Sequence, residues 1–316
     1  MPADILIRQL EYLAALAREE HFGRAAAASH ASQPALSAAI RKLERELDVT
    51  IVRRGRRFAG FTDEGRHVVA WAHRILAERD GLRNELDRMR HGLTGTLRIG
   101  AIPTAVPPSP LVTNPFRERH PQASVRIEAL ASTEILRKLE DFDIDVGLTY
   151  LDPQDSEVRS AVTLYREHYL LLTPSDSALA EQTAVRWSDV GELPLCMLDT
   201  SMQNRRILEH AAAAAGTRLT PVVETDTVDT LYAHAASGEC SSIIAHAWLH
   251  AFGIPKGVTA IPFAEPSPTP AVGIVVPSRQ SNSITANALL EIVGGIDIAA
   301  ELDRSVAASA KGARTS

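Results

Sequence analysis

The sequence predicts an α/β multidomain protein in which an N-terminal winged helix-turn-helix is joined by a long linker helix to a larger α/β region. Three observations carry this expectation. Two short helical segments are followed by a third with a polar, basic outer face and then by an arginine-rich tip. An apolar repeat of fours and threes comes next, over roughly three heptads. Beyond residue 92 the pattern changes to short apolar strands alternating with helical stretches, as in βαβ units.

The first helix is expected from Ile7 to Glu20, because Leu10, Leu13, Leu16 and Ala17 recur at helical spacing. Phe22 to Ser29 reads as a short Ala-rich second helix, and the run Ser29-His30-Ala31-Ser32 supplies turn and cap chemistry. Ser32 is a natural N-cap. Pro34 falls in the first turn of the third helix, where a missing N–H leaves nothing unsatisfied. Leu36, Ile40, Leu43 and Leu47 then share one face and leave Gln33, Ser37, Arg41 and Arg45 on others. After Asp48, Ile51-Val52, the basic tip Arg53-Arg54-Gly55-Arg56-Arg57 and Phe58 to Phe61 read as a small hairpin or wing.

Thr62-Asp63-Glu64 caps a long helix whose apolar positions are Val68, Ala72, Ile75, Leu82, Leu86 and Met89, with Arg79 breaking the seam. A repeat near 3.5 residues suits a two-stranded coiled coil and therefore a dimer; the alternative is one amphipathic helix packed on its own domain. Past His91 the expected strands include Leu97–Ile99, Val125–Ile127, Val146–Leu148, Tyr169–Leu172 and Ser242–Ala245, in largely parallel sheets. Expected helices are Ile135–Glu140, Arg205–Ala215 and Val228–Ala236. The segments Val272–Val276 and Ala286–Val293 are expected to return to the first lobe, and the tail after Ser305 to be flexible.

Composition narrows the function classes. The chain has 316 residues, enough for several cores, and lacks an apolar run of about 18 residues that could span a bilayer. Its start lacks a basic-then-apolar leader, so a cytoplasmic location is expected. Cys196 and Cys240 lie far apart and form no metal-ligand spacing, so no metal is expected. The net charge of -6 hides an asymmetry: residues 1–91 carry 16 basic and 13 acidic side chains, the remainder 17 and 26. Within 24–57 the count is 8 against 3, which suits a duplex-reading module on an otherwise acidic protein. GxGxxG, GxxxxGK[ST], HExxH and GxSxG are all missing, so no catalytic residues, cofactor or enzyme activity are expected.

A turn followed by a polar-faced helix is the geometry that lays side chains in a major groove about 12 Å wide. Gln33 offers a bidentate amide to an adenine edge, with Ser37 and Arg41 one and two turns on. Ser32 and the free N–H groups of the helix start suit a phosphate, Arg24 and Pro34 are expected among the DNA-binding residues, and Arg53, Arg54, Arg56 and Arg57 suit the flanking backbone or minor groove.

These residues carry a resemblance. Phe22-Gly23-Arg24-Ala25-Ala26, Ser32-Gln33-Pro34-Ala35-Leu36-Ser37, Ile40-Arg41-Lys42-Leu43-Glu44 and Phe61-Thr62-Asp63-Glu64-Gly65 are similar to the DNA-binding domain of LysR-type transcriptional regulators. The chain departs from that pattern at Ile51-Val52, where the family usually has Leu-Phe. The remainder resembles the family's effector domain, a periplasmic-binding-protein-like pair of α/β lobes. The resemblance implies a DNA-binding domain over 1–62, a linker and dimerisation helix over 63–91, and an effector-binding domain over 92–304. Within the last, lobe 1 would hold 92–165 and 271–304 and lobe 2 would hold 166–270, with a flexible tail over 305–316. The implied partners are double-stranded promoter DNA, a small polar or anionic effector, RNA polymerase, and further copies of the chain as a homodimer or homotetramer, with no membrane.

For the effector site, the resemblance places Pro103, Thr104, Thr133 and Thr149 on one lobe, and Thr200, Gln203, Asn204, Thr225, Thr227 and His246 on the other. Each hydroxyl also fits an ordinary helix cap. Residues 194–206 and 222–247 resemble regulators found beside formate dehydrogenase operons, which implies a one-carbon anion such as formate. Two other readings stay open: a redox sensor using Cys196 and Cys240, and a cytoplasmic small-molecule-binding protein or enzyme.

Overall fold

A computed structural model describes residues 6–53, 58–91, 93–151, 159–277 and 283–304. Arg54, Arg56, Arg57 and the tail 305–316 lie outside the described residues. The chain separates into two compact units, one of residues 1–92 with the turn 140–142, the other of the remainder.

In the first unit, α1 (Ile7–Glu19), α2 (Phe22–Ala28) and α3 (Gln33–Leu47) pack around Leu13, Leu16, Leu36 and Leu43, all fully buried. Removing each such leucine from water is worth about 2 kcal/mol. Gln9, buried at this seam, donates to Glu46 Oε2 at 3.0 Å and ties α1 to α3. The short α2 is capped by a residue that composition rules overlook: His21 Nδ1 accepts from the N–H groups of Gly23 (3.0 Å) and Arg24 (3.3 Å). Ser32 is the N-cap of α3, its Oγ accepting from Ala35 N at 3.3 Å.

Of the expected wing only the base is among the described residues, with Val52 pairing antiparallel to Phe61 and Arg53 N donating to Gly60 O at 3.0 Å; the tip 54–57 lies outside them. Ile51 and Val52 are both buried beneath it. They are held from α3: Glu44 Oε1 accepts from Ile51 N at 2.8 Å and from Val52 N at 3.1 Å. At the start of α4 (Asp63–His91), Gly65 is required by close approach, because a Cβ there would lie 2.1 Å from the Ile51 carbonyl oxygen. Thr62 Oγ1 caps this turn by accepting from Gly65 N at 2.9 Å.

The second unit holds two five-stranded sheets. The first comprises β1 (Gly95–Ala101), β2 (Ala123–Ala129), β3 (Val146–Tyr150), β4 (Arg159–Arg166) and β10 (Ala271–Pro277), in the order β2-β1-β3-β10-β4. The second comprises β5 (Tyr169–Pro174), β6 (Leu195–Leu198), β7 (Pro221–Thr225), β8 (Ser241–Ala245) and β9 (Val258–Pro262), in the order β7-β6-β8-β5-β9. Helices α5 (Pro110–Arg119), α6 (Ser132–Glu140), α7 (Gln203–Ala214), α8 (Val228–Ala236), α9 (Trp248–Phe252) and α10 (Ile284–Val293) complete the lobes.

The sheets are mixed rather than largely parallel. The triplets β2-β1-β3 and β7-β6-β8 are parallel, whereas β10 and β5 run antiparallel to both neighbours. The chain passes from one sheet to the other at β4–β5 and again at β9–β10, and the returning strands enter in the opposite sense. Lobe 1 thus closes only when β10 returns. Alignment of α6 on β3 depends on Gly147, where a Cβ would lie 2.6 Å from Ile135 Cγ2. That close approach fixes where Ser132, at the start of α6, stands relative to Thr149 on β3.

Candidate nucleic-acid interface and ligand cleft

On α3, Leu36, Ile40 and Leu43 point into the core, so Gln33, Pro34 and Arg41 are left exposed and Ser37 half-exposed. Arg41 Nη1 donates to Ser37 Oγ at 3.0 Å, which holds its guanidinium along the helix surface. Arg53 is exposed at the base of the wing. Arg24, at the start of α2, is exposed and its Nε lies 3.6 Å from Glu19 Oε2. The face therefore combines an amide, hydroxyls and guanidinium groups, groups of the kind that base edges and phosphates accept.

The expected seam of α4 divides into two parts. Ala72 is fully buried and Val68 half-buried against the helical core of this unit, so these positions hold α4 to its own domain. Ile75, Leu82 and Leu86 are exposed, and Trp71 joins them at 59% exposure. The side chain of Met89 lies outside the described residues. Arg79, which interrupts the apolar repeat, is paired with Glu11 of α1 and with Asp80. Its hydrogen bond to Glu11 and the two nearby carboxylates hold its pKa above the usual arginine value.

In the second unit a cleft of about 1160 Å³ opens between the lobes. Its lobe 1 wall is Ser132, Thr133 and Leu136 of α6 with Thr149 and Tyr150 of β3. Its lobe 2 wall is one face of α7, where Gln203, Arg206, Ile207, His210, Ala211 and Ala214 follow at spacings of three and one. The 3₁₀ turn carrying Trp187 and the crossover 264–268 complete it. Trp187 is held by stacking on Phe263, with ring centroids 4.1 Å apart.

Of the residues expected to hold an effector, Thr133, Thr149 and Gln203 line this cleft. Pro103, Thr104 and Asn204 line a small void of about 10 Å³ beside it, which also touches Ser132, Tyr150 and Gln203. Thr200, Thr225 and Thr227 do not line it among the described residues; Thr225 Oγ1 accepts from Thr227 N at 3.2 Å, a turn contact. His246 faces a separate cavity of about 300 Å³ with Arg166, His168 and Asp303. Its Nδ1 accepts from His168 N at 3.0 Å, and burial lowers its pKa to about 4. Arg205 is buried and engaged by Glu209, Glu224 and the Leu198 carbonyl, whereas Arg206 reaches the cleft.

Behind the cleft lies a buried polar network that spans both lobes. Glu167, fully buried between β4 and β5, accepts from Tyr150 Oη at 2.8 Å and Tyr169 Oη at 3.0 Å. Tyr150 Oη also accepts from Asn204 Nδ2 at 3.2 Å and lies 3.3 Å from Thr104 Oγ1. Desolvation pushes the Glu167 pKa up to about 7, and the tyrosine hydroxyls partly offset this. A second lobe-to-lobe contact runs from Trp248 Nε1 to the Thr104 carbonyl at 3.1 Å.

The arrangement is matched by known proteins. The family model described as a bacterial regulatory helix-turn-helix protein of the lysR family matches residues 7–66, and the LysR substrate binding domain matches residues 90–295. The chain belongs to the LysR family of transcription regulators. Among LysR relatives, the DNA-binding transcriptional dual regulator OxyR of Escherichia coli K12 is 30% identical over 275 residues, 85% of this chain and 88% of that protein. A full-length OxyR variant from Pseudomonas aeruginosa superposes with a TM-score of 0.73 at 26% identity, covering 93% of this chain and 99% of the other. Full-length CbnR in complex with its target DNA shares the fold at a TM-score of 0.61 and 20% identity, covering 92% and 99%.

Within the LysR frame, sequence reasoning missed three side chains that organise the sites. Glu44 braces the wing, Glu167 sits beneath the cleft, and Trp187 forms part of its wall. Among the described residues no helix is long and apolar enough to cross a membrane, and no group of three or more His, Cys, Asp or Glu is placed to hold a metal.

Proposed function

We propose that this LysR-family chain works by binding rather than catalysis: the α3 face reads promoter DNA in the cytoplasm, and a small organic ligand in the lobe cleft changes how that DNA is held. Gln33, Ser37 and Arg41 make the base-edge contacts, and Ser32, Arg24 and the wing arginines hold phosphates. The exposed seam of Ile75, Leu82 and Leu86 joins two chains, so that two α3 helices address a dyad-symmetric site, and pairs of dimers build the tetramer. The observation that carries the reading is the exposure of Gln33, Pro34 and Arg41 on the helix whose opposite face is the unit's core. A gel shift on the DNA upstream of its own gene tests it. Retardation that survives excess unrelated duplex supports the reading, and equal competition by any duplex contradicts it. RNA polymerase would be met at the same promoter.

The relatives named as hydrogen peroxide-inducible activators suggest a second reading, a thiol switch. Cys196 and Cys240 are free thiols, and both are buried. Cys196 sits mid-strand in β6 with its pKa pushed up to about 11 by desolvation, and burial raises that of Cys240 too. Thiolate is the form that attacks peroxide, so these environments favour the ligand reading. If peroxide alters DNA binding of the wild type but not of Cys196→Ser or Cys240→Ser, the thiol reading replaces it.

A further inference from the structure

The two crossovers between the lobes meet at one residue. Glu167, between β4 and β5, donates its backbone N–H to the carbonyl of Pro270, just before β10, at 2.9 Å. Its side chain is fully buried at this junction and is held from both lobes. Oε2 accepts from Tyr150 Oη of lobe 1 at 2.8 Å and from Tyr169 Oη of lobe 2 at 3.0 Å, while Oε1 has no hydrogen-bond partner among the described residues.

Ionising a carboxyl here is costly because nothing compensates the charge. The titratable groups that face it are all phenols: Tyr150 of β3, Tyr165 of β4 and Tyr169 of β5. The turn Pro103–Ala105 and α7 present the neutral Thr104 and Asn204. The basic side chains beside it are engaged elsewhere. Arg166 Nη1 donates to the Thr269 carbonyl at 3.1 Å, and His246, edge-on to Tyr165, accepts from His168 N at 3.0 Å. A carboxyl buried without a cation favours its neutral form, the sense in which desolvation pushes the Glu167 pKa up to about 7. Parting the lobes brings water to the group and returns it to the ordinary carboxylate range, so joined lobes bind the proton more tightly.

Resting on the reading that the lobe arrangement governs how DNA is held, we infer that Glu167 is a proton-operated catch: its neutral carboxyl lets Tyr150 and Tyr169 lock the lobes together, and its ionisation frees them. Protons are then a second input to the regulator. Tyr150 joins the two inputs, since it lines the cleft and shares its hydroxyl between Glu167 and Asn204. A cleft occupant that displaces Tyr150 changes the proton affinity of Glu167, and by reciprocity pH changes the affinity for that occupant.

The test follows anisotropy of labelled promoter DNA and tryptophan emission together, on the ligand-free full chain, from about pH 5.5 to about pH 8. Trp248, whose Nε1 donates to the Thr104 carbonyl across the lobes at 3.1 Å, reports the junction. In the wild type the ratio of joined to parted lobes should fall on the order of tenfold as pH rises through this range, with both signals moving together. Glu167→Gln keeps an uncharged acceptor for both phenols. At the alkaline end it should retain the emission and the DNA affinity that the wild type shows at the acid end. Tyr169→Phe removes a donor that favours the charged form and should move the wild-type midpoint to higher pH, which loss of packing alone would not do. Thermal unfolding at the acid end checks that each variant is folded. An emission profile identical in the wild type and Glu167→Gln, or a midpoint that Tyr169→Phe leaves unmoved or lowers, would overturn the catch. Emission that follows Glu167 as described while DNA affinity ignores Glu167→Gln leaves the catch standing and removes the link from lobes to DNA.

Discussion

Tyr150, the last residue of β3 in lobe 1, donates its hydroxyl to the buried carboxylate of Glu167 at the crossover into lobe 2, at 2.8 Å. Because Tyr150 also accepts from Asn204 on α7, one phenol links the two lobes beneath the cleft. A change in the charge of Glu167 therefore acts directly on the lobe junction.

The pH dependence of stability follows from this pair. Glu167 is pushed up to about 7 from an ordinary 4.5, so the folded state binds its proton more tightly and stability falls between those values as pH rises. His246, lowered from 6.5 to about 4, acts in the opposite sense: its contribution is present above 6.5 and is lost as pH falls toward 4. The wild type should show a muted slope between pH 4.5 and 6.5, with the fall evident from 6.5 to 7. Glu167→Gln should remove that fall and expose a clear rise from 4.5 to 6.5 in denaturant midpoints. An unchanged profile would show that Glu167 titrates normally.

The wing depends on a side chain of the recognition helix. Glu44→Ala leaves the N–H groups of Ile51 and Val52 without their acceptor, at a cost of about 1–3 kcal/mol. Glu44→Gln keeps one acceptor oxygen and should lose less. Thermal unfolding of the two variants ranks them, and DNA affinity should follow the same order; equal stability of both with the wild type would contradict the bracing role.

Specificity and general affinity should separate on the DNA face. Gln33→Ala is expected to cost about 1–3 kcal/mol on the preferred sequence and little on unrelated duplex. Arg53→Ala should weaken all duplexes alike and reduce the dependence of affinity on salt by about one unit of slope. Anisotropy titrations at several salt concentrations distinguish the two behaviours.

The linker seam is tested by Leu82→Glu. Leu82 is 60% exposed and contributes nothing to the core of its own unit, so the chain should fold normally. Losing an apolar contact from both copies of a symmetric pair costs about 4 kcal/mol, a roughly thousandfold weaker dimer. Sedimentation should show the shift toward monomer, whereas an unchanged assembly would place the interface elsewhere.

Much of this architecture is legible where local rules and tertiary packing agree. The third helix was readable because Leu36, Ile40 and Leu43 keep one face while Ser32 and Pro34 mark its start. The strands β1, β3, β5 and β8 were readable as short apolar runs. The sense of β5 and β10 was not, since strand direction is set by crossovers between lobes and leaves no mark on periodicity. His21 escaped notice because an imidazole is an uncommon cap, and Glu44 because its partners lie seven and eight residues away across a turn. Glu167 is one of 39 acidic residues and belongs to no motif, and only the fold buries it. In the cleft, Thr133, Thr149 and Gln203 were anticipated from position, whereas Trp187 belongs to a distant 3₁₀ turn that packing alone brings to the wall.

The most direct test of the central claim is a protection footprint of the full chain on the DNA upstream of its own gene, compared with Gln33→Ala. Two protected half-sites related by a dyad, whole helical turns apart, are expected for the wild type, with protection lost or spread evenly in the variant. Uniform protection by the wild type, or an identical footprint for Gln33→Ala, would contradict the assignment of α3 as the reading helix.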